Sequence, residues 1–162
     1  MQKLLLLLIL LPSAAMAQEC KLIRETDPYT KETKISSGFI QLQNGASLAI
    51  DADSKEIDFF FTVPGRCYDD ASTVFVFFEG VRTRSTYRNA GGRNCDGYFH
   101  FKYRNTENPN SVLKKLMTQK AAQFVFTGTD KKEIIISLLP QQQEALMNFA
   151  TCVTEEAKKL IK

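Results

Sequence analysis

The chain has 162 residues with 21 basic and 18 acidic side chains, a formal net charge of +3. So even a balance selects no charged partner, and the absence of repeats, low-complexity stretches and long linkers excludes a multidomain or repeat architecture. The four cysteines contain no CxxC or CxxH spacing, which argues against a zinc site.

The first 17 residues read as a cleaved signal peptide. Lys3 supplies the positive start, residues 4–11 form an apolar run, and Ala15-Met16-Ala17 places small residues before a cut at Gln18. The run is shorter than the ~18 residues a membrane-spanning helix needs, so no transmembrane anchor is expected. Glu19 stands where a lipid-anchoring signal requires a small residue, so Cys20 is expected near the amino terminus of a free, soluble protein. Residues 18–162 then form a single globular domain, long enough to bury about 70% of its unfolded surface. The expected location is periplasmic or extracellular. The compact leader and the lack of an Asn-x-Ser/Thr acceptor favour bacterial origin.

After the leader, charge divides unevenly: residues 18–79 carry 6 basic and 11 acidic side chains, residues 80–162 carry 14 and 7. The first part reads as strands. Cys20 to Arg24 opens, Asp27-Pro28 turns, and "GFIQLQNGASLAI" places apolar residues on either side of Asn44-Gly45, a tight-hairpin dipeptide. "IDFFFTV" and "STVFVFFEGV" are so rich in Phe and Val that burial on both faces, or a place at the centre of a sheet covered by a helix, is expected. "GYFHFKYR" alternates, with Phe99, Phe101 and Tyr103 towards the core and Tyr98, His100, Lys102 and Arg104 towards water. "QFVFTGTDKKEIIISLL" is a second hairpin.

Two helices are predicted. The first spans residues 111–119 with Asn110 as its cap and Val112, Leu113, Leu116 and Met117 on one side. The second starts near Pro140 and aligns Leu146, Phe149, Ala150, Val153, Ala157 and Leu160. The class is therefore α+β: seven to eight mostly antiparallel strands, a short helix and a C-terminal helix packed on the sheet.

An even number of exported cysteines implies two disulfides, with three pairings open. Cys67 and Cys95 flank the same strand region and Cys20 and Cys152 lie near the chain ends, so Cys67–Cys95 and Cys20–Cys152 is the simplest assignment.

Little in the sequence points to a reaction. His100 is the one histidine, and Cys95 five residues upstream would make a thiol dyad only if it were reduced. No GxSxG is present, and no aspartate partner for His100 is identifiable. "DADSKE", residues 51–56, begins like a calcium loop but has Glu56 where glycine is needed, so it reads as a polar turn; no metal or cofactor is expected. Asp69-Asp70 is the first place to look for paired carboxylates.

The stretch "GVRTRSTYRNAGGRNC" is the strongest binding candidate, with Arg82, Arg84, Arg88 and Arg93 and no acid. If the strand runs on past Val81, Arg82, Arg84 and Arg88 share a face by parity, Tyr87 offers a stacking surface, and Gly91-Gly92 a flexible tip. Arginine forks bind carboxylates, sulfates and phosphates at two points. The expected function is thus an exported, non-enzymatic binding module with a surface for an anionic envelope glycan, a lipid headgroup or an acidic protein. Export removes nucleic acid from the partners. The alternatives are a hydrolase and a secreted inhibitor presenting a disulfide-braced loop.

Overall fold

The computed structural model describes residues 20–161, so the leader assigned to residues 1–17 lies outside the described residues. The strands are β1 (Ile23–Thr26), β2 (Thr33–Gln41), β3 (Ser47–Ala52), β4 (Glu56–Thr62), β5 (Thr73–Phe78), β6 (Ser85–Arg88), β7 (Tyr98–Arg104), β8 (Ala121–Thr127) and β9 (Glu133–Ser137). Helix α1 covers Ser111–Thr118 and α2 covers Pro140–Lys158. A first sheet has the order β1-β2-β3-β4-β7 and a second the order β6-β5-β8-β9, antiparallel throughout. The α+β class is as expected, with nine strands among the described residues.

Local chemistry accounts for most turns. Asn44 and Gly45 take φ of 59° and 71° in the short 3-10 turn joining β2 to β3, the left-handed region these two residue types tolerate best. The Asp53 carboxylate accepts from the backbone N–H of Lys55 and Glu56 at 2.6 and 2.9 Å, which closes the β3–β4 turn in "DADSKE". Asn110 caps α1 by accepting from Val112 and Leu113 N–H. At α2, Pro140 occupies the first turn and the Gln142 side chain accepts from Leu139 N–H at 2.8 Å.

The sheets pack face to face over an aromatic core. Phe61 of β4 meets Phe124 and Phe126 of β8 edge-on at 5.0 and 5.2 Å between ring centroids, and Phe99 of β7 meets Phe126 at 5.2 Å. Such edge contacts add to the apolar area they remove from water. Helix α2 completes the core by packing against α1, β2, β3 and β8. Its buried residues include Leu146, Ala150, Val153 and Ala157, most of the predicted stripe. In α1, Leu113 and Leu116 are buried while Val112 is exposed.

Of the two expectations for the Phe-rich strands, an interior place in a sheet is found, with β4 between β3 and β7 and β5 between β6 and β8, and burial on both faces is not. In β4 and β5 buried and half-buried positions alternate, so Phe59, Phe61, Val74, Val76 and Phe78 face the core and Phe60, Phe75 and Phe77 the outer surfaces. Each sheet has one covered face. The outward rings shelter instead against neighbours: Phe60 against Tyr98 at 5.4 Å, and Phe75 beneath the Arg84 guanidinium at 3.8 Å.

Disulfides join Cys67 to Cys95 and Cys20 to Cys152. The second fastens the segment before β1 to α2, and an Arg24–Glu156 ion pair reinforces the same junction.

Candidate functional site

The arginine-bearing segment does not continue β5. That strand ends at Phe78, and the turn through Glu79 and Gly80, with Gly80 at φ 67°, resets the chain before β6 begins at Ser85. Arg82 and Arg84 therefore lie in the connection, not on a strand face shared with Arg88. Arg88 is the last residue of β6 and Arg93 lies in the loop that follows; all four are exposed. Arg84 lies over Phe75. Tyr87 is a correction to the predicted surface. It is 9% exposed and stacks on Phe101 at 4.1 Å, because β6 turns its odd positions inward towards β7. No ligand can stack on it there.

Asn89 organises the loop that carries Arg93. Its side-chain oxygen accepts from His100 N–H at 3.0 Å and Gly91 N–H at 3.3 Å, and its amide donates to the carbonyls of Asp69 at 3.0 Å and Gly91 at 3.2 Å. Ala90 N–H donates to His100 O at 2.7 Å. Asn94 continues the pattern on Tyr98, accepting from its N–H and donating to its carbonyl. The loop thus occupies the free edge of β7 and shields it from strand pairing, while Cys67–Cys95 ties it to the 65–68 loop. Gly91 leaves room for the His100 ring: a Cβ there would stand 2.8 Å from His100 Nε2, and the ring would have to shift.

His100 is paired with Asp58, not Cys95. Its Nδ1 lies 2.8 Å from Asp58 Oδ2, both side chains on the outer face of the first sheet. Burial pushes the Asp58 carboxyl above its usual value, a shift the hydrogen bond from His100 opposes. Lys102 reaches the same carboxylate at 3.8 Å and bonds Glu56 at 2.5 Å. All four cysteines are in disulfides, which removes the thiol dyad. Asp69, offered as half of a carboxylate pair, accepts from the Ser72 hydroxyl at 2.7 Å and from Ala71 N–H at 3.1 Å. That bonding holds its carboxyl below the usual range and closes the turn before β5.

The outer face of the first sheet holds a groove of about 480 Å³ that the sequence did not announce. Ile23, Ser36, Asp51 and Asp58 are among its lining, with Glu25 and Lys34 at the β1–β2 border and Lys102 at the other. A bulge between Ser36 and Phe39, with Gly38 at φ 66°, bends β2 and puts Phe39 on this face as well. Compared with protein-family models, with curated proteins and with solved structures, the chain matches none.

Two contributors escaped the sequence reading. Asp58 meets His100 through the β4–β7 register, a contact between residues 42 apart. Asn89 stood in view between Arg88 and Gly91, where its turn-forming type was the available signal.

Proposed function

We propose that this chain is a non-enzymatic binding domain of an oxidising compartment outside the cytoplasm, and that it engages anionic groups through Arg82, Arg88 and Arg93. One observation carries the reading. These three guanidinium groups are exposed, fall within one stretch, residues 80–95, that holds no acidic residue, and have no ion-pair partner among the described residues, whereas Arg24 and Arg66 are each paired with a carboxylate. An unpaired arginine fork keeps its two-point geometry for a carboxylate, sulfate or phosphate from outside. Arg93 has a further advantage, since the bonds from Asn89 and Asn94 and the bridge at Cys95 limit the entropy its loop loses on binding.

The two disulfides, and the lack among the described residues of a helix long and apolar enough to cross a membrane, are compatible with such a location. The ligand class, whether an anionic glycan, a lipid headgroup or an acidic protein, follows from the charge and is separated by the probe used. On an immobilised sulfated polysaccharide, retention should fall steeply with salt because exposed charges are screened within about 10 Å at 0.1 M. The triple variant Arg82→Ala/Arg88→Ala/Arg93→Ala should elute at markedly lower salt. Equal elution of variant and parent on the polysaccharide, on anionic vesicles and on an acidic protein column would refute the reading.

A further inference from the structure

We infer that the outer face of the first sheet is the interface of a two-fold dimer, its occupant being a second copy of this chain. The strand registers arrange the outward side chains in rows. From β1 to β7, one row reads Glu25, Lys34, Glu56, Arg104; the next reads Ile23, Ser36, Asp51, Asp58, Lys102; the third reads Phe39, Ala49, Phe60, His100. A rotation of 180° about an axis lying in this face and parallel to the strands keeps each row at its height. It sets β1 over β7, β2 over β4, and β3 over itself.

Four of the five pairs so formed off the axis are complementary. Glu25 meets Arg104, Lys34 meets Glu56, Ser36 meets Asp58 and Phe39 meets Phe60, while Ala49, a small residue, sits on the axis. Glu25, Lys34 and Arg104 form no ion pair within the chain among the described residues. Of seven large hydrophobic residues left exposed among those described, three lie on this face: Phe39 at 64%, Ile23 at 53% and Tyr98 at 44%. Apolar groups gathered on one face and rimmed by polar ones mark an interaction surface. A uniformly basic partner would meet Lys34, Lys102 and Arg104 with like charge, and a uniformly acidic one would meet Glu25, Asp51 and Glu56. The chain's own face answers both signs, as a self-complementary two-fold contact requires.

With strands about 4.8 Å apart and successive outward residues about 6.8 Å apart, the outward positions of the five strands give roughly 550 Å² in plan. That is well under the ~800 Å² per partner of a standard interface, so the dimer is weak and concentration-dependent. Two mismatches are built in: Ile23 of β1 faces Lys102 of β7, and Asp51 of β3 faces its own copy across the axis, where its carboxylate opposes the association.

Arg82, Arg88 and Arg93 take no part, so this inference and the proposed anion binding fail separately. Sedimentation velocity of the mature, disulfide-bonded protein over a concentration series tests it. The expected result is a monomer–dimer equilibrium that Phe39→Lys weakens about tenfold or more, with far-ultraviolet circular dichroism confirming the fold. Glu25→Arg and Arg104→Glu should each weaken it and together restore it. Asp51→Asn should tighten it severalfold, a gain that damage to the fold cannot produce. A single monomeric species at every concentration overturns the inference, as does loosening by Asp51→Asn. Binding of a basic peptide or an oligosaccharide to a face that stays monomeric overturns it too, and gives the face to another occupant.

Discussion

Replacing Asn89 by alanine should cost far more than a polar loop residue ordinarily does. The side chain is buried and makes four hydrogen bonds, two accepted and two donated, to backbone groups of Asp69, Gly91 and His100. At about 1 kcal/mol net for each bond, with some groups left unpaired in a water-poor site, the loss is about 3 to 4 kcal/mol. For a domain near 145 residues that corresponds to a fall in Tm of about 10 °C or slightly more. Thermal unfolding followed by circular dichroism under non-reducing conditions measures it. Asn89→Asp is the informative companion, because it keeps the acceptor for His100 N–H while setting a carboxylate against the carbonyls of Asp69 and Gly91. It should be about as damaging as alanine at neutral pH and partly recover in acid, where a protonated carboxyl regains a donor. A fall of less than about 3 °C for Asn89→Ala would refute the assignment of this residue as the organiser of the loop.

Other expectations follow from the same structure. Gly97→Ala should destabilise by at least about 3 kcal/mol, since Gly97 has φ 81° and a Cβ there would stand 2.2 Å from Val63 O; denaturant titration measures it, and a neutral result contradicts the backbone placement. With loop separations of 28 and 132 residues, chain entropy assigns about 3.6 kcal/mol to Cys67–Cys95 and about 5 to Cys20–Cys152 as upper values; equilibrium unfolding of the two double-alanine variants should rank them in that order. Asp58→Asn should alter the pH dependence of stability. The folded-state value of Asp58 is raised by burial above its ordinary 3.8, so the folded chain binds this proton more tightly and wild-type stability declines as pH rises from 3.8 through the folded value. The variant lacks that decline, so its stability relative to wild type should improve across the window; a relative loss would show that the bond to His100 outweighs burial.

How far the sequence could be read depended on how far away each residue's partners lie. The hairpin at Asn44-Gly45, the Asn110 cap and the α2 stripe rest on interactions within a few residues, and all three are found. Strand β6 was invisible because nothing local makes four polar-looking residues a strand. Its place depends on the β5 register and on Tyr87 stacking across to Phe101 of the other sheet. The parity expected of Arg82, Arg84 and Arg88 failed at Gly80, where a positive φ broke the phase. In β4 and β5 the excess of phenylalanine misled for a different reason. Apolar side chains also occupy outer faces when a neighbour partly covers them, as Tyr98 does for Phe60 and Arg84 for Phe75.

The unequal charge of the two halves of the sequence takes spatial form through one crossover. Strands β1 to β4 come from the acidic half, and the chain then leaves for β5 and β6 of the second sheet before returning as β7 at the border of the first. Lys102 and Arg104 are thereby delivered to the rows that hold Asp58 and Glu56. Strand β7 is the single strand of the first sheet drawn from the basic half, so one border of that outer face differs in charge from its middle. Had β7 joined the β1 edge, its cations would stand beside Glu25, and β3 would no longer be the middle strand on which a two-fold axis could lie. The strand order therefore carries as much of the recognition argument as any single side chain, and the distribution of charge along the chain becomes legible only once that order is known.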